Sequence, residues 1–488
     1  MKLYIKDDDF TLYEGSMLDL LEFIAPCSVH SVVTDPPYGL TTITKRFGKE
    51  NSAPAQYGSD GSFSRLSRGF MGKEWDGSGI ETRPDTWRKC YEVLKPGGYL
   101  LAFGGSRTYH RIACAIEDAG FEIRDCIMWL YGSGFPKSMN IGLMLDKKNG
   151  TDSPIVGYTD QLDITGGNWC NNQGERVMHP VRQPQNEWAG WGTALKPAYE
   201  PVIVARKPCE GSVLENVIQH RTGGLNIDEC RIGEGSGDIK TVKYPDIRGD
   251  NYNQGHREYR QAESVEYAVE DKGRYPSNVI LTYDKTDEAE VCGGMPDTKS
   301  SGGQYSIPTF GGGTDGVCYF KSKGSARIQT DNYYPGDEGS AARYYYCAKA
   351  SARDRDEGLD EFKVADGGVY EFRQDGSLDG SGQSRRNIHP TVKPVDLMQY
   401  LVRLVTPKGG TVLDPFNGSG STGKAVMFEN RDRGANYKYI GIELTPEYLP
   451  IAAARIKWAK TYHPTTEKAD KPIEGQISIF DLQEGGNE

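Results

Sequence analysis

The sequence has little that would carry it into or across a membrane. Hydrophobic residues make up 37% of its 488 positions, and no apolar run approaches the roughly 18 residues that a membrane-spanning helix needs. The first residues, Met1-Lys-Leu-Tyr-Ile-Lys-Asp-Asp-Asp9, are charged and lack the apolar stretch of a secretory signal. Ten cysteines include no Cys-x-x-Cys pair, and seven histidines show no zinc-ligand spacing, so neither a disulfide framework nor a metal site is expected. Net positive charge is missing too. A formal charge of −11 argues against indiscriminate coating of a polyanion, although a local basic groove can sit on an acidic body. A soluble, cytoplasmic protein with reduced thiols is expected. Glycine and proline are plentiful, at 60 and 26 residues, which implies many turns and long loops. The length suggests about two or three domains.

The most informative stretch is Thr411-Val-Leu-Asp-Pro-Phe-Asn-Gly-Ser-Gly-Ser-Thr-Gly423. A short apolar run ends in an acid, a glycine-rich turn follows, and then comes a helix-compatible segment. Strand, tight turn and helix is how an α/β sheet builds a pocket for a nucleotide-like ligand. Gly418 and Gly420 allow backbone angles that other residues avoid and let a ligand approach the main chain. Gly418-Ser-Gly-Ser-Thr-Gly-Lys424 matches the first seven positions of a phosphate-binding P-loop, but the eighth should be Ser or Thr and is Ala425. The competing reading is an S-adenosylmethionine pocket. It requires a second acid at the end of the next strand, placed for ribose hydroxyls, and Tyr437-Lys-Tyr-Ile-Gly-Ile-Glu443 supplies one.

Near the other end of the chain stands Val32-Val-Thr-Asp-Pro-Pro-Tyr-Gly39. Together, Asp35-Pro-Pro-Tyr38 and Asp414-Pro-Phe-Asn-Gly-Ser-Gly420 resemble the paired motifs of the DNA amino-methyltransferases, bacterial and phage enzymes that methylate the exocyclic amine of adenine or cytosine. The likeness continues through His389-Pro-Thr-Val-Lys-Pro394 and Gly441-Ile-Glu-Leu-Thr-Pro-Glu-Tyr448. The catalytic motif comes first and the cofactor motif last, the permuted order of the family's β group. The resemblance implies a Rossmann-like α/β fold with three layers, a mostly parallel sheet with one antiparallel strand, and an inserted irregular target-recognition domain. It implies that Asp35, Pro36, Pro37 and Tyr38 are catalytic. It implies that Asp414, Phe416, Asn417, Gly418, Gly420, Thr422 and Glu443 bind S-adenosylmethionine, with His389 and Lys393 beside its carboxylate at a helix N-terminus. An acid usually follows the glycine of the Phe10–Ser16 strand to meet the cofactor's adenine. Here that position is Ser16, with Asp19 three residues on.

Along the chain, residues 1–208 read as the catalytic half. Strands are expected at Phe10–Ser16, Ser28–Thr34, Tyr99–Phe103, Phe121–Tyr131 and Glu200–Arg206, the last taken as the end of this half, and helices at Met17–Ile24, Thr86–Leu94 and Ser106–Ala119. Two long loops interrupt it. Residues 41–74 hold Lys45, Arg46, Arg65, Arg68 and Lys73, suited to phosphate contacts. Residues 132–195 hold Trp169, Trp188 and Trp191, suited equally to stacking on bases and to packing of an irregular insert. Residues 209–385 are the candidate target-recognition domain, with strands suggested at Ser277–Thr282 and Arg343–Cys347. Lys299, Lys321, Lys323, Arg327 and Arg343 lie there among many tyrosines, without a helix-turn-helix or zinc finger. Residues 386–460 read as the cofactor half, with helices at Val395–Val405 and Pro446–Trp458. In the tail, 461–488, Gln476-Ile-Ser-Ile-Phe480 resembles a peptide that binds the bacterial sliding clamp.

The reaction expected is transfer of a methyl group to adenine N6 in double-stranded DNA, with the base flipped out of the duplex. An Asp before Pro-Pro-Tyr leans towards adenine within this group. Methylation of cytosine N4, or service as a modification subunit beside a restriction partner, are the alternatives, and a P-loop NTPase is the remote one.

Overall fold

The computed structural model describes residues 2–39, 78–131, 138–159, 179–233, 273–283, 352–362, 386–389 and 391–462, together with the backbone of strand segments at 55–57, 63–65, 239–245, 264–270, 297–300, 304–307, 328–333, 337–340 and 346–349. A ten-stranded sheet organises them. In chain order its strands are β1 (Lys2–Lys6), β2 (Phe10–Glu14), β3 (Val29–Thr34), β4 (Leu94–Phe103), β5 (Glu122–Tyr131), β6 (Tyr199–Arg206), β7 (Val279–Tyr283), β8 (Tyr346–Lys349), β9 (Thr411–Asp414) and β10 (Lys438–Glu443). Across the sheet they run β1-β2-β10-β9-β3-β4-β6-β5-β7-β8. Neighbours are parallel except that β1 opposes β2 and β6 opposes both β4 and β5. The expectation of one antiparallel strand is corrected to two. A tight turn, with the Asp7 N–H on the Phe10 carbonyl at 2.8 Å, folds β1 back along β2, which only an antiparallel pair allows over so short a link.

Side chains alternate across the sheet. Val33, Leu101, Phe103 and Val204 join one apolar layer, and Val32, Leu100, Ala102 and Ala205 the other, as the two-residue period of a strand requires. The first layer is covered by α3 (Val395–Val405), α4 (Ser421–Arg433) and α5 (Tyr448–Thr461), and the second by α1 (Pro84–Val93) and α2 (Tyr109–Asp118). Strands buried on both faces explain the near-continuous apolar runs.

Strand β4 begins earlier than the expected Tyr99. Lys95-Pro-Gly-Gly98 is a kink within it, where Gly97 takes φ +73° and its N–H reaches the Lys207 carbonyl at 3.0 Å. The 209–385 interval also behaves differently from an independent insert. It supplies β7 and β8, which extend the main sheet in parallel beyond β5, so β6 does not close the sheet. The Trp129 indole on β5 donates to the Thr282 hydroxyl on β7 at 2.8 Å.

Of the 132–195 loop, a helix (Ile141–Asn149) and a hairpin (Ile155–Thr159 with His179–Arg182) are described, gathered around buried Asp146. That carboxylate accepts from Ser153 Oγ, Gln185 N and Asn186 Nδ2 at 2.6–2.8 Å. The side chains of Lys45, Arg46, Arg65, Arg68, Lys73, Trp169, Lys299, Lys321, Lys323, Arg327 and Arg343, and the Gln476–Phe480 peptide, lie outside the described residues. Among the described residues no helix is long and apolar enough to cross a membrane.

Candidate active site

The ends of β3, β9 and β10 deliver Asp35, Asp414 and Glu443 to one edge of the sheet, the carboxyl edge at which open α/β sheets place their ligands. Strand β6 runs the other way, so its beginning lies at this same edge and adds Glu200. The Gly104 N–H just beyond β4 fixes that placement by donating to the Pro201 carbonyl at 2.9 Å. These residues surround a cavity of about 390 Å³, within the range of small-molecule sites.

At one end of the cavity is the glycine turn. Asp414 is fully buried, and its carboxylate accepts from Thr34 Oγ1 and Thr422 Oγ1, both at 2.6 Å, and from the Phe416 N–H at 3.1 Å. Burial pushes it up to about 6 against those hydrogen bonds. Asp414 thus ties the turn to β3 and α4. Glu443 accepts the Gly418 N–H at 2.6 Å and the Thr445 N–H at 2.8 Å, and burial pushes it up to about 7. Gly418 has φ +52°, and a Cβ there would stand 2.8 Å from His389 Nε2, so only glycine fits. His389 packs edge-on against Tyr448, ring centroids 4.6 Å apart. Burial lowers its imidazole to about 3, which keeps it neutral. Asn417 is buried, its Oδ1 taking the Tyr439 hydroxyl at 2.8 Å. Phe416 leans on Trp87 with centroids 6.3 Å apart. Ser16 caps the short helix that follows β2 and lines the cavity with Gly15 and Met17.

At the other end are Asp35, Pro36, Pro37 and Tyr38. The Tyr38 hydroxyl donates to Glu200 Oε2 at 2.6 Å. Lys393 Nζ lies 2.7 Å from Asp35 Oδ2, 3.1 Å from the Tyr38 hydroxyl and 3.4 Å from Glu200 Oε2. Asp35 Oδ1 is buried and has no hydrogen-bond partner among the described residues. Burial and then the carboxylates of Asp35 and Glu200 hold the Tyr38 phenol well above its ordinary value.

Of the residues assigned to catalysis and cofactor binding, all line this cavity except Gly420. Gly420 stands behind it as the N-cap of α4 at φ +78°, packed on Ala452, because the turn needs a left-handed residue where the helix begins. Lys393 lines the cavity with its ammonium 2.7 Å from Asp35 Oδ2. Asp19 is exposed and does not line the cavity. Lys424, which a P-loop would turn onto phosphate, is fully buried and paired with Asp354 Oδ1 at 2.8 Å and Glu357 at 2.9 Å.

Two features escaped sequence reasoning. Glu200 was legible as the start of a strand, but its place at the site depends on that strand being antiparallel. The segment 352–362 lies in the interval read as the recognition domain, yet it braces the glycine turn. Arg455, fully buried, joins the Ser419 carbonyl at 2.7 Å to the Asp354 carbonyl at 3.0 Å. Asp354 Oδ2 caps α3 through the Val395 N–H at 2.7 Å, and Arg355 donates to the His389 carbonyl at 2.6 Å. No cluster of three or more metal-ligating side chains occurs among the described residues.

The N6_N4_Mtase family model, described as DNA methylase, matches residues 29–454. The chain belongs to this DNA methylase family. The chain is 24% identical over 230 residues to the type II methyltransferase M.HindIII of Haemophilus influenzae, which covers 44% of this chain and 64% of that protein. It is 36% identical over 74 residues to the DNA adenine methyltransferase YhdJ of Escherichia coli, 15% of this chain and 23% of that one. A solved cytosine-N4-specific PvuII DNA methyltransferase aligns with 96% of this chain and 92% of its own at 13% identity and a TM-score of 0.39. The chain spans less than two thirds of the length of the curated relatives it matches first.

Proposed function

We propose that this DNA methylase transfers a methyl group from S-adenosylmethionine to the exocyclic amine of adenine, at N6, within a specific site of double-stranded DNA. The observation that carries the reading is the Asp35 carboxylate. One oxygen is fixed by Lys393, the other is buried with no hydrogen-bond partner among the described residues, and Asp35 lines the same cavity as the glycine turn. A buried acceptor without a donor is costly unless a ligand supplies one.

The residues at the glycine turn suit the cofactor. Glu443 offers a carboxylate for ribose hydroxyls, Gly418 leaves its backbone open to close approach, and Phe416 gives an apolar face. When bound, S-adenosylmethionine supplies an electrophilic methyl on a sulfonium. The amine of a base is a weak nucleophile because its lone pair is delocalised into the ring. Asp35 Oδ1 accepts one amine N–H and the Pro36 carbonyl accepts the other, which favours a tetrahedral nitrogen with a localised lone pair. The nitrogen forms its new bond to carbon as the sulfur–carbon bond breaks, and the surplus proton leaves the nitrogen towards Asp35. Fixed acceptors and orientation supply most of the rate effect. The target is inaccessible inside a duplex, so the nucleotide flips out and Tyr38 stacks on it. Trp188 and Trp191, paired edge to face at 5.2 Å and 39% and 59% exposed, offer stacking surfaces on the insert for the surrounding DNA.

The test is methyl transfer from labelled S-adenosylmethionine to unmethylated duplex DNA, followed by digestion and identification of the nucleoside by mass. Label in N6-methyladenine at one short motif, absent with Asp35→Ala while cofactor binding persists, supports the proposal. Label in N4-methylcytosine would replace the target base and leave the mechanism. Wild-type activity in Asp35→Ala would overturn the assignment of the site.

A further inference from the structure

We infer that Lys393 and Glu200 are a positioning pair for the transfer step. Lys393 holds Asp35 by one carboxylate oxygen so that the other is presented to the target amine, and Glu200 holds Tyr38 by its hydroxyl so that the ring keeps its stacking pose. The inference deepens the methyl-transfer reading and rests on it.

Four side chains from three separate parts of the chain converge here. Asp35 and Tyr38 follow β3, Glu200 opens β6, and Lys393 precedes α3. Lys393 Nζ meets Asp35 Oδ2 at 2.7 Å, the Tyr38 hydroxyl at 3.1 Å and Glu200 Oε2 at 3.4 Å. It also lies 5.0 Å from the centroid of the Phe103 ring and 5.3 Å from that of Tyr38. Burial alone would draw the Lys393 ammonium down, and the two carboxylates outweigh it and hold the group above its ordinary value. An ammonium so enclosed is a fixed charge with a fixed geometry. Its removal would leave two like-charged carboxylates near each other without the cation between them, and Asp35 would lose the contact that fixes Oδ2. Glu200 balances the ammonium and ties down the tyrosine through the 2.6 Å hydrogen bond. The competing account gives Lys393 to the carboxylate of the cofactor. The two accounts differ in what they say of binding, because a positioning role acts on the transfer step and a cofactor contact acts on affinity.

The experiment compares wild type, Lys393→Met, Lys393→Arg and Glu200→Gln in cofactor binding by calorimetry and in single-turnover methylation of duplex DNA at saturating DNA and cofactor. Misplacement of a reacting group by about 1 Å can cost roughly 10²-fold, and Lys393→Met should lose the transfer rate on that scale with cofactor affinity unchanged. Lys393→Arg should recover part of the loss because it returns the charge. Glu200→Gln keeps an acceptor for Tyr38 but not the charge, and should lose less. An equal loss of affinity and rate in Lys393→Met would assign the lysine to the cofactor and overturn the inference, as would an unchanged rate. If Lys393→Met does not fold, the rates of the other two variants decide: both at wild-type level would overturn it. A wild-type protein that binds cofactor but methylates no DNA would instead remove the transfer reading, and the inference with it.

Discussion

Glu443 combines burial with two backbone N–H donors, and its carboxyl is pushed up to about 7. A carboxyl whose folded value exceeds its unfolded value of 4.5 contributes stability that is complete at acid pH and lost as pH rises through about 7. Glu443→Gln cannot titrate. The stability of wild type relative to this variant should therefore fall between pH 4.5 and about 7, by up to ~3 kcal/mol. Urea unfolding of both proteins across that range measures it. His389, lowered to about 3, and His30, lowered to about 4, act in the opposite sense: the stability they contribute is lost as pH drops below their ordinary value of 6.5. They are common to both proteins and cancel. A difference independent of pH would mean that Glu443 is ionised throughout. Donors from a ribose favour the ionised form, so the same variant should also lose cofactor affinity. Glu443 was legible in sequence because an acid closing a strand after a glycine-rich turn is a local pattern. Lys393 was legible as a site residue, but its partner was not, since Asp35 lies 358 positions away.

Among the elements, the helix-strand rhythm could be read wherever burial writes it. Val395–Val405 has the bounds expected of it, and the apolar run before Asp35 is β3. Reading failed where an element owes its role to a neighbour that the local pattern does not mention. The 352–362 segment is polar and short, with nothing periodic in it, yet Arg455 clamps its Asp354 carbonyl to the Ser419 carbonyl. Arg455→Met should destabilise the fold by about 3 kcal/mol, the scale for breaking a buried charged contact and leaving its partners unsatisfied. It should also slacken the glycine turn. Urea unfolding should show an earlier midpoint, and a titration should show weaker cofactor binding even where the variant is fully folded. Unaltered cofactor affinity in the folded variant would mean that the turn holds its shape without the clamp.

At the scale of the whole molecule, the sheet decides where the chain can be cut. Composition placed a boundary at 209 and another at 385, since polar, glycine-rich sequence looks the same whether it belongs to an insert or to an edge of the core. Strands β7 and β8 lie between those points and pair in register with β5 and with each other, Ile280 opposite Trp129 and opposite Tyr346. The brace at 352–362 lies there too. Excision of residues 209–385 therefore removes two strands, uncovers Trp129 and takes Asp354 away from Arg455 and both Asp354 and Glu357 away from Lys424. That chain should be insoluble or unable to bind cofactor. Excision of 284–345 removes only what lies between the two strands. Adjacent parallel strands need a crossover of about a dozen residues or more, so a flexible linker of about fifteen in its place satisfies the topology. This shorter protein should fold and bind S-adenosylmethionine, and it should fail to methylate duplex DNA at the wild-type motif. Circular dichroism and a cofactor titration read the first outcome, and base-resolution mapping of methylated DNA reads the second. Methylation at the same motif by the shorter protein would place recognition elsewhere, with exposed Trp188 and Trp191 of the insert the first residues to test.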